Sequence, residues 1–315
     1  MSNEEASPKI LRRKPIMDHP MSDLLRIDRF PHVWCPTCGL GTVVNCTATA
    51  ILKSTDIDPN HIAVVSGIGC TGRGAGYIRL DSFHTTHGRA IPFATGLKLA
   101  RPDMKVVIFS GDGDLISIGG NHFIHAARRN MDMVVICVNN FIYAMTGGQV
   151  APTTPLHARS STSPFGNSDV PFNLPYLAAS CGATYVARWT ALHVRRLQNS
   201  IIEALHRRGF SFIEVICPCS TLYARLNKLG SGLDLMRFYH DNSEINNNAP
   251  LRELDINFKD KIICGKFVSE DRKTFTDRYD EENSLILGDK YIPYKIPDFP
   301  HVKVDDNGHK EVVGK

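Results

Sequence analysis

Apolar, mostly β-branched residues fall in unbroken runs at four places: His61–Ser66, Lys105–Phe109, Met133–Val138 and Ser211–Ile216. An alternating run marks a strand with one wet face; an unbroken run marks a strand buried on both faces, as in a parallel sheet covered by helices. Between these runs lie stretches with helical spacing, near 42–53, 88–100, 119–130 and 190–208. In the last, Leu192, Leu197, Ile201 and Leu205 share a face while Arg195, Arg196 and Arg207 fall elsewhere, the pattern of an amphipathic helix. Strand–helix–strand alternation at these lengths predicts right-handed crossovers and an α/β fold, a doubly wound, mainly parallel sheet.

Around that pattern the chain divides in three. Residues 1–28 are polar, mixed in charge and punctuated by Pro8, Pro15 and Pro20, and read as an extended arm. Residues 29–228 hold the strand and helix pattern. Residues 229–315 turn charged and Asn-rich and are expected to form a partly irregular C-terminal extension. Within the middle part, residues 146–176 are rich in Thr, Ser, Pro and Gly and show little periodicity. An irregular stretch of that length inside a compact domain is usually functional.

Composition narrows the function classes. With 315 residues, 43% of them hydrophobic and 22% charged, the chain is long enough for a full core and is not of disordered or fibrous type. No apolar run reaches the roughly 18 residues of a membrane helix, and a net charge of +4 is too small to imply a nucleic-acid partner. The N-terminal segment lacks the apolar stretch of a secretory signal. Together with nine cysteines, this points to a reducing, cytoplasmic setting in which thiols serve metals, redox chemistry or packing.

Two segments carry candidate chemistry. Gly111-Asp112-Gly113-Asp114 follows one predicted strand and Asn139-Asn140 ends the next, with 25 residues between Gly113 and Asn139. Ligands of open α/β sheets sit outside the carboxyl ends of the strands, so two adjacent parallel strands bring Asp112 and Asn140 side by side. A carboxylate, an amide oxygen, a backbone carbonyl and ligand phosphates suit the oxygen shell of Mg²⁺. The glycines let backbone approach a diphosphate, and a following helix N-terminus favours it. The spacing of GDG and NN resembles the thiamine-diphosphate motif.

The second segment is Cys35-Pro-Thr-Cys38-Gly-Leu-Gly41. A CxxC fits a zinc knuckle, a redox pair or an iron–sulfur cluster, and the metal sites want further ligands. Cys46, Cys137, Cys181 and Cys264 fall within or beside elements and read as small buried hydrophobes. Cys70, in the loop Gly67–Arg73, and Cys217 and Cys219, in Ile216–Thr221, follow predicted strands and share the edge that carries GDGD.

Taken in order, CPxCG, GIGC with Arg73, HGRA at 87–90, GDGD…NN, Thr146-Gly-Gly-Gln149 and PCST resemble the β subunit of the 2-oxoacid:ferredoxin oxidoreductases over roughly residues 30–225. The resemblance implies thiamine diphosphate, Mg²⁺ and one [4Fe-4S] cluster. It implies cluster ligands at Cys35, Cys38, Cys70 and Cys219, with Cys217 beside them, and Mg²⁺ on Asp112, Asn140 and the carbonyl of Ile142. It places Ile68, Gly69, Cys70, Thr71, His87, Gly111, Gly113, Asp114, Ala144 and Met145 against the cofactor. Two positions depart from the family pattern: Thr37, where the middle of CPxC is usually Gly, and Ala144, usually Gly beside the cofactor. Thr37 is tolerable unless the turn requires positive φ.

The activity so implied is CoA-dependent oxidation of a 2-oxoacid with ferredoxin as acceptor. Arg73 and His87 are the candidate catalytic residues; the alternative for His87, and equally for His84, is a loop histidine satisfied by backbone. Arg73, as a guanidinium able to grip a second carboxylate, favours 2-oxoglutarate over pyruvate; the bland alternative is that it holds the carboxylate every 2-oxoacid carries. The chain has motifs for the diphosphate half of a thiamine enzyme alone, so an α subunit carrying the pyrimidine domain is expected. A non-redox thiamine-dependent decarboxylase subunit and a zinc-binding module are the rival readings; the first leaves the cysteines unused and the second leaves GDGD…NN unexplained.

Overall fold

The computed structural model describes residues 20–257, 261–296 and 300–313; the expected arm lies outside the described residues up to 19. Its strands are β1 (Ile62–Ser66), β2 (Asp81–His84), β3 (Lys105–Gly111), β4 (Met133–Asn139), β5 (Ile142–Tyr143), β6 (Gln149–Val150), β7 (Tyr185–Thr190), β8 (Phe210–Ile216), β9 (Ser243–Ile245), β10 (Ile262–Ser269), β11 (Val302–Val304) and β12 (Lys310–Val312). The α-helices are α1 (Leu40–Lys53), α2 (Ala90–Ala100), α3 (Gly120–Arg129), α4 (Leu174–Ser180), α5 (Val194–His206), α6 (Gly232–Asn242) and α7 (Phe275–Leu287).

Eight strands form one sheet in the order β2-β1-β3-β4-β8-β7-β10-β9. All neighbours run parallel except β7 and β10. The unbroken apolar runs have the expected cause: alternate residues of one strand feed different layers. Val64, Val107, Phe109, Ile136 and Val215 pack with Val43, Val44 and Ile51 of α1 and Leu197, Ile201 and Leu205 of α5. Ala63, Val65, Ile108, Val135 and Phe212 pack on the other face with Ile91 and Ala94 of α2 and Phe123 and Ala127 of α3. Each such side chain, fully buried, contributes on the order of 1.5–3 kcal/mol.

Four sheet strands, β2, β7, β9 and β10, lie outside the predicted runs. β2 is short and largely exposed. β7 carries Arg188 in its middle, and all six of its residues are buried; Arg188 Nε donates to Glu214 Oε2 on β8 at 2.6 Å. Past residue 229 the chain returns to the main sheet through β9 and β10. Helices α6 and α7 each start in a capping box, Ser231 with Asp234 and Thr274 with Asp277, which satisfies otherwise orphaned N–H groups in the first turn of each.

The strand order has one consequence for chemistry. β1, β3, β4 and β8 are consecutive neighbours, so the loops after them, carrying Cys70, Gly111–Asp114, Asn140 and Cys219, open side by side at one sheet edge.

Candidate cofactor and thiolate site

The loop after β3 does not enter a regular helix at once. Gly113–Ile118 form a π-helical turn before α3, a wide turn often found at functional sites. The Tyr143 ring lies on Gly113: a Cβ there would stand 2.3 Å from Tyr143 Cε1. Tyr143 Oη also donates to the Gly113 carbonyl at 3.2 Å. The glycine is therefore needed for close packing as well as for access.

Asp112 is buried, as is Asn140. Thr153 Oγ1, from the long irregular loop, donates to Asp112 Oδ2. Burial pushes the Asp112 carboxyl up to about 7, opposed by the Thr153 and Gly113 hydrogen bonds. The nearby Glu214 carboxylate pushes the same way. A buried carboxylate without a counter-charge is costly, and Asp112, Asn140 and Ile142 line one cavity. Oxygen donors of this kind around an uncompensated negative charge fit a hard divalent cation.

Asp114, expected against the diphosphate, has its carboxylate occupied by protein donors. It accepts from His87 Nδ1 at 2.5 Å, Gly88 N at 2.7 Å, Ile68 N at 3.1 Å and Ser110 Oγ at 2.5 Å. Its side chain thus pins the loops after β1 and β2 to the loop after β3. With Nδ1 engaged, the other nitrogen of His87 is left for the cavity that the residue lines. His84 is exposed, and its Nδ1 lies 2.9 Å from Ser66 Oγ.

That cavity, about 150 Å³, brings together every residue expected at the cofactor. Ile68, Gly69, Cys70 and Thr71 come from the β1 loop, Gly111, Gly113 and Asp114 from the β3 loop, and Ala144 and Met145 from beyond β5. Thr146, the first residue of the Thr-Gly-Gly-Gln motif, lines it as well, and so does Tyr143, which no motif singled out.

A second cavity of about 180 Å³ adjoins it, lined by Cys35, Cys38, Cys70 and Cys219 together with Arg73 and Trp34. Cys70, Asn140, Ala144 and Met145 line both spaces. Arg73, expected near substrate, is exposed and belongs to the thiolate side. All nine cysteines are free thiols. Burial pushes Cys38 up to about 12, and the neighbouring Cys219, Cys70 and Cys35 push the same way. Burial and Cys219 also raise Cys70. Such thiols ionise when a cation takes the charge. The sulfurs ring a space: among the described residues no three His, Cys, Asp or Glu side chains converge as they would on one ion.

The loops around this cavity are tied together. Trp34 Nε1 donates to the Cys70 carbonyl at 2.8 Å. Cys217 is buried beneath the CPxC segment, where a Cβ on Gly39 would stand 2.4 Å from its Sγ. It does not line the cavity. Thr37 has φ 65°, so the turn does need positive φ and holds a β-branched residue there.

Comparison with known proteins bears on this edge directly. The family model of the thiamine pyrophosphate enzyme C-terminal TPP-binding domain matches residues 57–215, from just before β1 to the end of β8. The 2-oxoglutarate synthase subunit KorB of Methanothermobacter marburgensis is 48% identical over 84% of this chain and 92% of its own length. The subunit of the same name from Methanocaldococcus jannaschii is 47% identical over 82% and 95%. This chain belongs to the 2-oxoacid:ferredoxin oxidoreductase β subunits. The backbone agrees: a solved 2-oxoglutarate:ferredoxin oxidoreductase from Magnetococcus marinus, with 2-oxoglutarate, coenzyme A and succinyl-CoA bound, superposes with TM-score 0.76 at 30% identity, covering 89% of this chain and 94% of that one.

As a thiamine-diphosphate-binding β subunit, the chain has the expected doubly wound sheet. What the sequence missed at its site lies in residues that act across elements. Thr153 reaches Asp112 from 41 positions away, and Tyr143 reaches Gly113 from 30. Neither sits in a motif. Among the described residues no helix is long and apolar enough to cross a membrane.

Proposed function

We propose that this chain is the thiamine-diphosphate-carrying β subunit of a CoA-acylating 2-oxoglutarate:ferredoxin oxidoreductase. It converts 2-oxoglutarate, CoA and oxidised ferredoxin to succinyl-CoA, CO₂ and reduced ferredoxin, with an α subunit supplying the pyrimidine domain. The single observation that carries the reading is the shared wall: Cys70, Asn140, Ala144 and Met145 separate a diphosphate-type cavity from a four-cysteine cavity by one layer of residues. The bound substrate of the Magnetococcus relative and the names of the archaeal ones support 2-oxoglutarate. Nine unpaired cysteines suit the cytoplasm.

When bound, thiamine diphosphate supplies the electron sink for decarboxylation and an adjacent [4Fe-4S] cluster supplies one-electron transfer. The residues divide the remaining work. Asp112, the Asn140 amide oxygen and the Ile142 carbonyl hold Mg²⁺, and Gly111 and Gly113 admit the diphosphate. Ile68, Gly69, Thr71, Ala144 and Met145 would line the space around the cofactor. Asp114 fixes the ring of His87 so that its free nitrogen handles a proton at the cofactor. Cys35, Cys38, Cys70 and Cys219 hold the cluster. Arg73, on the cluster side, meets the distal carboxylate of the substrate.

Co-expressing the chain with its α subunit, purifying without oxygen and measuring iron, sulfide and thiamine tests the assignment, followed by turnover on several 2-oxoacids with CoA and ferredoxin. Iron with sulfide, bound thiamine and preference for 2-oxoglutarate are expected. Zinc in place of iron, or pyruvate preferred, would overturn it.

A further inference from the structure

Thr37 occupies a conformation that its side chain resists. At φ 65° a β-branched residue stands in the left-handed region, where Cβ crowds the backbone and Gly or Asn ordinarily serve. Such residues persist where surroundings over-determine them, and they gather at functional sites.

Here the surroundings act from three sides. Thr37 Oγ1 donates to the Pro36 carbonyl at 2.5 Å and lies 3.2 Å from Ser220 Oγ. Ser220 Oγ in turn donates to the same Pro36 carbonyl at 3.3 Å. Pro36 and Thr37 lie between Cys35 and Cys38, and Ser220 directly follows Cys219. On the third side is Gly232, the first residue of α6, where a Cβ would stand 1.9 Å from Thr37 Oγ1. One hydroxyl therefore joins the turn carrying two cavity cysteines to the loop carrying a third, and seats both against the start of a helix.

We propose that Thr37 is a positioning residue: through Ser220 it fixes the Cys35/Cys38 turn relative to Cys219, and so sets how firmly and at what potential the four thiolates hold their iron–sulfur group. This rests on the cluster assignment above. Glycine at this position would relax the backbone but release the two loops from each other. Backbone ease and sulfur placement therefore respond to Thr37→Gly in opposite directions, which separates this role from a contribution to folding alone.

The test uses the complex with its α subunit, purified without oxygen, as wild type, Thr37→Gly, Thr37→Ser and Ser220→Ala. Three quantities are read: the melting temperature, the rate at which iron is lost on exposure to air, and the cluster midpoint potential by titration followed with paramagnetic resonance. Thr37→Gly is expected to melt no lower than wild type yet lose iron faster by roughly tenfold, the scale at which groups just outside metal ligands act, with a displaced midpoint. Ser220→Ala should move the last two readings the same way, and Thr37→Ser should restore them. Unchanged loss rate and midpoint in both Thr37→Gly and Ser220→Ala would overturn the role of Thr37 alone. A wild-type complex without iron and sulfide would overturn the cluster assignment and this inference together.

Discussion

Asp114 Oδ1 lies 2.5 Å from His87 Nδ1, bridging the loops that follow β2 and β3. A carboxylate bonded to one ring nitrogen fixes both the tautomer and the orientation of the other. His87 is 39% exposed at its side chain while Asp114 is buried, so the pair reads as an anchored base with its working nitrogen toward the cavity. His87→Gln is expected to fold normally and to lower kcat by about 10²-fold or more, the usual size of a positioned proton-transfer group. Asp114→Asn should do similarly, and the double variant should be little worse than either single one, because the two act as a unit. Additive losses in steady-state kinetics would show that they act separately.

The same pair depends on residue 67. A Cβ on Gly67 would stand 1.8 Å from Asp114 Oδ2, a contact no rotamer of so heavily bonded a carboxylate can evade. Gly67→Ala is expected to destabilise the chain by about 1–3 kcal/mol, the range for forced overpacking. It should also weaken thiamine-diphosphate binding, since Ile68 N shares Asp114. Chemical denaturation and calorimetric titration of the cofactor check the two parts.

Asp112 makes the metal-free chain sensitive to pH. Its folded carboxyl sits at about 7 against an ordinary 3.8, so the folded state holds the proton more tightly than the unfolded one. The group therefore costs stability above the unfolded value, fully so above about 7, and that stability returns as pH falls from 7 toward 4. The limit of the effect is on the order of 4 kcal/mol. Without Mg²⁺, the melting temperature contributed by this group should rise between about pH 8 and pH 5.5, and Asp112→Asn should remove that rise. Mg²⁺, which competes with the proton, should stabilise the wild type more at the higher pH. A Mg²⁺ effect independent of pH would detach the cation from Asp112.

How far the sequence reaches depends on whether a residue's partner is local. β1, β3, β4 and β8 show as apolar runs because each is sandwiched between two helix layers. β7 does not, because Arg188 and Thr190 interrupt it; both are buried, and Arg188 is made tolerable by Glu214, 26 residues further on. The antiparallel entry of β10 beside β7 leaves no trace in composition. At the site, Asp112 and Asn140 were legible through spacing, and the four cavity cysteines through the family resemblance that set Cys217 apart from them. The fourfold use of the Asp114 carboxylate was not, since three of its donors come from backbone or hydroxyl groups whose position only the fold decides.

Arg73 offers a test of substrate choice. It lines the thiolate cavity beside Cys70, with its backbone N–H donating to the Cys70 carbonyl at 3.4 Å. A charge-assisted pair with a distal carboxylate contributes about 1.5–3 kcal/mol, or roughly 10- to 100-fold. Arg73→Met should lower kcat/KM for 2-oxoglutarate by that factor and leave pyruvate much less affected. An equal loss on both substrates would place Arg73 at the carboxylate they share.

Glu214 links the middle of the sheet to the turn after β4. It is fully buried, accepts from Arg188 Nε at 2.6 Å and from Asn139 Nδ2 at 2.8 Å. Asn139 Oδ1 then accepts from Phe141 N at 3.1 Å, and Phe141 has φ 65°, a second left-handed, non-glycine residue at this edge. The Thr154 hydroxyl donates to its carbonyl at 2.6 Å. Asn140 and Ile142 flank that residue, so the chain of bonds from β7 through β8 to β4 holds the turn that presents both of them. Glu214→Ala leaves Arg188 charged and unpaired in the core, a change expected to cost about 3–5 kcal/mol. An Asn139→Ala variant keeps the ion pair but removes both the hydrogen bond to Glu214 Oε1 and the link to Phe141. It should therefore lose about 1–3 kcal/mol against denaturant for the unpaired buried oxygen, less than Glu214→Ala, while binding Mg²⁺ and thiamine diphosphate at least several-fold more weakly. Full cofactor affinity in Asn139→Ala would mean that the left-handed turn holds itself, and that Glu214 serves the sheet alone.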